Sequence, residues 1–178
     1  MDALREILPV TKPLQGSIRP PGSKSLTNRA LICAALSRGR STLSGSLESD
    51  DTRVMVRALQ SLGIAIDADW RHATLNVDGC GGVLPVQDAT LDLDGSGTSI
   101  RFLTALAATG TSVITLDGNP RMRERPIGQL AEALRQCGAK IETQGEFPPV
   151  VVHADRLSGT NISLRGNISS QFLSALLL

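Results

Sequence analysis

Aromatic side chains are nearly missing from this 178-residue chain, which has no tyrosine, one tryptophan (Trp70) and three phenylalanines (Phe102, Phe147 and Phe172). Proteins that grip single-stranded nucleic acid offer several aromatic faces for bases to stack on, so nucleic-acid binding is a remote reading. An excess of either charge is lacking too. Eighteen basic residues stand against 17 acidic ones, which removes any bulk attraction to nucleic acid or to an anionic membrane. Important positive charge must therefore be local. Cysteine is sparse: Cys33, Cys80 and Cys137 are odd in number and show no CxxC spacing, so neither a disulfide framework nor a zinc knuckle is expected, and a reducing cytoplasm fits. Cys33 and Cys137 fall inside apolar helical patterns and read as small buried hydrophobes rather than reactive thiols. His72 and His153 stand 81 residues apart without clustered Cys, His or carboxylate partners, so no metal is assigned. No stretch approaches the length of a membrane span, and Met1 to Val10 has neither a long apolar run nor a small-residue cleavage site. The expectation is a soluble, cytoplasmic protein with no membrane partner.

What is present is 41% apolar residues, enough for a real core, and a sequence that repeats itself. RALICAAL from Arg29 is echoed by RFLTALAA from Arg101 and QFLSALLL from Gln171, with starts 72 and 70 residues apart. ALQSLGIAI from Ala58 returns as ALRQCGAKI from Ala133, an offset of 75. Each of these second pieces reads as the end of an amphipathic helix, a glycine suited to a left-handed cap (Gly63 or Gly138) and a short strand. The second unit predicts, in order, a strand at TLDLD from Thr90, a helix from about Ser99 to Ala108, a strand at SVITL, a helix opening at Pro126 and closing at Gly138, and strands at Ala139–Glu142 and Val150–His153. In the first unit the opening strand must come from around Ser17 to Arg19, and the last strands are Ile64–Ile66 and Thr74–Val77. The third begins with a strand, TNISL from Thr160, and a helix near Ser169, and then stops. Alternating strands and helices generate some resemblance by chance. Chance explains poorly why each copy sets small polar or cationic residues at the same end of its first helix.

Four segments carry that chemistry. PGSKSLTNR, from Pro21 to Arg29, joins a glycine, capping serines and a helix start to the charges of Lys24 and Arg29, a setting that attracts anions. It is not a Walker A loop, and taken alone it reads as plain helix capping. DGSGTSIR, from Asp94 to Arg101, repeats the design, and GNISSQ, from Gly166 to Gln171, supplies two hydroxyls and an amide at the equivalent helix start. GNPRMRERPIG puts Arg121, Arg123 and Arg125 within five residues, self-repelling unless an anion or Glu124 stands nearby. Asp50 and Asp51 open a helix and read mainly as caps.

PGSKSLTNRA, SLESDDTRVM, SGTSIRFL, PRMRERPIGQL and SSQFL, in this order and over essentially the whole chain, resemble the signature segments of the 5-enolpyruvylshikimate-3-phosphate synthase family. The resemblance implies an α/β fold: an enolpyruvyl transferase-like lobe of repeated βαβαββ units, with helix N-termini facing a cleft between two lobes. Residues 1–20 would belong to the other lobe. Residues 21–178 would form the N-terminal lobe, with complete repeats at about 21–88 and 89–158 and the start of a third at 159–178, the C-terminal lobe being absent. It implies transfer of the enolpyruvyl group from phosphoenolpyruvate to the 5-hydroxyl of shikimate 3-phosphate, with no metal and no organic cofactor. By position, Lys24 resembles the lysine between the two substrates and is the catalytic candidate. Ser25, Arg29, Ser169, Ser170 and Gln171 match the shikimate 3-phosphate site. Gly97 and Arg125, with Lys24 and Gln171, match phosphoenolpyruvate contacts, and Arg101 a supporting arginine. Gly95 stands where members often carry asparagine. The related UDP-N-acetylglucosamine enolpyruvyl transferases differ by a loop cysteine that PRMRERPIG lacks. A third reading is a non-catalytic, substrate-binding fragment whose complementing partner is the missing C-terminal lobe, where the family's general base lies.

Overall fold

Residues 6–178 are described by a computed structural model of the chain, apart from positions 87, 156, 160 and 166. Serine decides where four of the five α-helices among the described residues begin. α1 (Lys24–Leu36), α2 (Asp50–Ser61), α3 (Gly97–Ala108) and α5 (Ser170–Leu177) follow Ser23, Ser49, Ser96 and Ser169, and each of these side chains accepts from a backbone N–H of the first turn. That satisfies one of the donors a helix start leaves unpaired. Ser49 goes further, forming a capping box with Thr52. Glycine ends α2 and α4 (Gly128–Gln136): Gly63 and Gly138 have φ of 85° and 93°, a region other residues reach only at a cost. In both places the next residue reaches back five positions, Ile64 N–H to Leu59 O and Ala139 N–H to Leu134 O. The two repeats thus share one hydrogen-bonded stop of the Schellman type.

The strands are β1 (Arg38–Ser44), β2 (Ala65–Asp69), β3 (Thr74–Cys80), β4 (Asp88–Asp92), β5 (Val113–Asp117), β6 (Lys140–Gln144) and β7 (Phe147–His153). They form two sheets, β1-β3-β2, wholly antiparallel, and β4-β5-β7-β6, in which only β4 and β5 run parallel. A parallel pair needs a crossover, and α3 supplies it. The second unit is therefore βαβαββ as its sequence predicts. In the first, β1, β2 and β3 repeat β5, β6 and β7, but no strand among the described residues pairs with the edge of β1 where β5 carries β4.

Five sequence expectations are corrected here. Ser17–Arg19 is exposed and outside any strand; residues 161–164 of TNISL also lie outside any strand, exposed except for the half-buried Leu164, and Thr160 lies outside the described residues. A strand needs a partner edge, and neither segment has one among the described residues. α4 opens at Gly128 rather than Pro126. The ring of Pro126 drives Arg125 to an extended ψ of 126°, and the N–H groups of Ile127 and Gly128 bond to Glu146 O at the β6–β7 turn, so the helix starts from that tie. Cys33 is exposed, not buried, because the buried face of α1 runs through Leu31, Ile32, Ala34 and Ala35 and turns Cys33 outward. Asp51 is not a cap, as its contacts below make clear.

α3 is the centre of the molecule. Every residue from Gly97 to Ala108 except Arg101 is buried, the pattern of a helix covered on all sides. It packs against α1, α2, α4, α5 and the second sheet. Because α1, α2 and α5 pack on this one buried helix, their serine-capped starts can reach its start through side chains.

Candidate functional site

Hydrogen bonds between side chains link the starts of α1, α2, α3 and α5 into one surface. Lys24, the first residue of α1, donates from Nζ to Asp51 Oδ2 at 2.8 Å, and Ser96 Oγ donates to Asp51 Oδ1 at 2.6 Å. Gln171, in the first turn of α5, donates from Nε2 to Thr98 Oγ1 at 3.1 Å and accepts from Arg101 Nη1 at 2.5 Å. Its amide is thereby oriented by two partners on α3. Arg29 lies one turn into α1, where Nη1 donates to Ser25 O at 3.1 Å and Nη2 to Ser174 Oγ at 3.0 Å, while Ser174 in turn bonds Ser170 O.

The repeat returns here as geometry. The guanidinium of Arg29 lies 5.3 Å from the ring centre of Phe102, and that of Arg101, its counterpart one unit on, lies 5.1 Å from Phe172. Each arginine thus covers the phenylalanine of the following unit, a cation–π contact that ties successive first helices together.

Arg125 reaches the same place from the loop after β5. A Cβ on Gly97 would come within 2.5 Å of Arg125 Nη1 and 3.7 Å of Arg101 Nη1, so both guanidiniums sit over the bare backbone at the start of α3. Of the four cations Lys24, Arg29, Arg101 and Arg125, only Lys24 has a carboxylate within ion-pair distance among the described residues. Burial, and then the charge of Arg125, disfavour the charged form of Arg101, whose Nε is buried without a partner among the described residues. Burial pushes the Asp51 carboxyl up, but hydrogen bonds from Lys24 and Ser96 and the charges of Lys24 and Arg125 outweigh it and hold it below the ordinary aspartate value. An arginine pair over helix N–H groups, one donor unspent, is a seat for an anion.

The nine candidate residues are therefore joined on one surface. Lys24, Ser25, Gly97 and Ser170 lie at helix starts, Ser169 caps α5, and Arg29, Arg101, Arg125 and Gln171 lean on those starts. Of the arginine loop, Arg123 does not contribute: it pairs with Asp117 through Nε at 3.0 Å and Nη2 at 2.6 Å, and Arg121 is exposed. Sequence reasoning missed Asp51, Ser96 and Thr98, the partners that hold Lys24 and Gln171. Their signal lay in SLESDDTRVM and SGTSIRFL, which read as helix starts; nothing local says that Asp51 turns away from its own helix. A cleft of about 230 Å³ opens beside this surface, lined by Asp50, Asp51, Asp94, Gly95, Ser96 and Asn119 among others.

Residues 9–178 match the family model of EPSP synthase (3-phosphoshikimate 1-carboxyvinyltransferase). The chain is 46% identical over 173 residues to the 3-phosphoshikimate 1-carboxyvinyltransferase of Rhizobium etli and 48% identical over 178 residues to that of Nitrosomonas europaea. Those alignments take in 97% and 96% of this chain but 41% and 40% of the relatives, so the chain spans about two fifths of their length. The EPSP synthase of Acinetobacter baumannii superposes on 91% of the chain with a TM-score of 0.84 at 27% identity, again over 37% of its own length. With its repeated α/β units and the convergence of their helix starts, this chain belongs to the EPSP synthase family.

Proposed function

We propose that this chain provides the substrate-facing helix starts of an enzyme that transfers the enolpyruvyl group of phosphoenolpyruvate to the 5-hydroxyl of shikimate 3-phosphate. The observation that carries the reading is the gathering of Lys24, Arg29, Arg101 and Arg125 at helix N-termini with Asp51 as the only carboxylate in ion-pair contact with any of them among the described residues. Both substrates are phosphorylated carboxylates. Two unit charges about 5 Å apart at an effective dielectric near 20 repel by roughly 3 kcal/mol, and several such pairs must be brought together. A surface with surplus cations and unpaired N–H groups offsets that repulsion.

In this reading Ser25, Arg29, Ser169, Ser170 and Gln171 hold shikimate 3-phosphate, while Gly97, Arg125 and Gln171 hold phosphoenolpyruvate, and Lys24 lies between the two. Arg101 supports Gln171. The 5-hydroxyl gives its proton to the general base expected in the C-terminal part as its oxygen bonds to the enol carbon and the methylene gains a proton. The tetrahedral intermediate then loses phosphate from that carbon and a proton from the new methyl group, restoring the double bond. The chain's residues orient the reactants and neutralise their charge. Residues 21–88, 89–158 and 159–178 are two repeats and the start of a third in one lobe, residues 1–20 belong with the other lobe, and the C-terminal part is the complementing partner. A cytoplasmic setting fits this chemistry, and no helix among the described residues is long and apolar enough to cross a membrane.

The test is phosphate release from the two substrates, with the chain alone and with a separately produced C-terminal half, together with calorimetric titration of the chain with shikimate 3-phosphate. Expected are binding heat, no turnover by the chain alone, and turnover on mixing. Absence of both binding and complemented turnover would overturn the proposal. Turnover by the chain alone would overturn the division of the site between two parts.

A further inference from the structure

The Lys24–Asp51 pair is held from behind. Ser96 Oγ lies 2.6 Å from Asp51 Oδ1 and 2.8 Å from Ser99 Oγ, and it also accepts the N–H of Ser99 at 3.3 Å. Ser96 is 3% exposed and Ser99 wholly buried, so water does not compete for these bonds. We propose that Ser96 and Ser99 are positioning residues, whose hydroxyls form a one-way hydrogen-bond relay that fixes the Asp51 carboxylate and, through it, the Lys24 ammonium.

The direction follows from donor counting. An ionised carboxylate only accepts, so the single proton of the Ser96 hydroxyl goes to Asp51 Oδ1. Ser96 is then left with lone pairs alone, and the bond between the two serines must be donated by Ser99. Both hydroxyl protons are committed, and only one arrangement of the four groups satisfies all of them. Asp51 is left with Oδ1 engaged by Ser96 and Oδ2 by Lys24 at 2.8 Å. A lysine whose side chain is 47% exposed would otherwise sample many rotamers, and freezing it on ligand binding costs entropy. The relay bears that cost in the folded state. It leaves two of the three ammonium protons of Lys24 free to face a ligand. Ser96 and Ser99 belong to the second repeat while Lys24 and Asp51 belong to the first, so the relay also makes Lys24 answer to the placement of α3. Other charges near Asp51 are Arg125 from the loop after β5, Asp50 beside it on α2, and Asp94 across the cleft. The functional consequence rests on the proposed role of Lys24, whereas the relay itself does not.

The experiment is a carbon-13 NMR titration of the aspartate carboxyls in the intact chain, without ligand. Wild-type Asp51 titrates below an ordinary aspartate. S96A moves its midpoint upward, S96T restores it, and S99A, which leaves the cap of α3 untouched, produces a smaller shift in the same direction. An Asp51 midpoint unmoved in S96A overturns the relay; if S96A does not fold, an unmoved midpoint in S99A does so. A second titration, with inorganic phosphate followed at the Lys24 ammonium, is expected to show binding weakened about threefold by S96A, the loss of one net hydrogen bond. Wild-type and S96A chains binding phosphate equally would overturn the positioning of Lys24. If wild type binds no phosphate, the proposed function loses support and the relay stands or falls on the Asp51 midpoint.

Discussion

Gly97 is where the bare backbone of one residue has a consequence for charge. A methyl group there would meet Arg125 Nη1 at 2.5 Å, and that atom is the far end of a flexible, exposed side chain. Gly97→Ala is therefore expected to change stability by less than about 1 kcal/mol, since the guanidinium can swing away, while weakening phosphoenolpyruvate binding tenfold or more through loss of a charge-assisted contact of roughly 1.5–3 kcal/mol. Denaturant unfolding of the chain and substrate titration of the complemented enzyme would separate the two effects; equal binding by the variant would remove Arg125 from the proposed phosphoenolpyruvate site. Asp51 makes the opposite case, a residue whose charge matters to the fold. Its folded pKa is depressed, so its contribution is complete above the unfolded value of about 3.9 and disappears as the pH falls through the lower folded value. Asp51→Asn should flatten the acid limb of the stability profile, as read by urea midpoints between neutral pH and the onset of acid unfolding. An unchanged acid limb would show that the Lys24 and Ser96 bonds contribute nothing net.

Helices in this molecule differ in how much of each the fold uses. α3 is buried nearly throughout, whereas α5 buries Phe172 and Ala175 and leaves Leu173 and Leu177 at 53% and 76% exposure. Phe172 is fully buried and carries the stack of Arg101 above it. Phe172→Ala is expected to cost about 3–5 kcal/mol, and Leu173→Ala, one residue on, to stay within about 0.5 kcal/mol. A chemical-denaturation comparison of the two variants checks this, and equal losses would mean that α5 does not dock as described. The serine caps and glycine stops that bound these helices were readable in the sequence because they act within a few residues. The start of α4 was not, since the bonds that set it come from Glu146, on the turn between β6 and β7.

At the scale of the whole chain, the two sheets are unequally finished: β5 has β4 on its outer edge, and no strand among the described residues pairs with β1 there. The stretch before α1 adds a second unpaired element, with Ile7, Leu8, Leu14 and Ile18 exposed between 73% and 90%. Hydrogen exchange should divide accordingly, the amides of residues 6–20 exchanging at once and those of β3, β5 and β7, each flanked by two strands, last. Slow exchange in residues 6–20 of the isolated chain would mean that this stretch pairs with something.

By itself the sequence determined the repeat, the helix starts and stops, and the cation-bearing segments, because capping, left-handed glycine and apolar periodicity are local interactions written within a few neighbours. It set Lys24, Gly97 and Ser170 at the same end of successive first helices before any distance was known. Only the tertiary structure decided that Asp51 turns to Lys24 and Ser96, that Arg123 is spent on Asp117 while Arg125 has no carboxylate within ion-pair distance among the described residues, and that Cys33 faces outward. Each of those outcomes depends on which surfaces of separate units meet, and a side chain's partner across 27 or 45 residues is chosen by packing around α3 rather than by its neighbours in the chain.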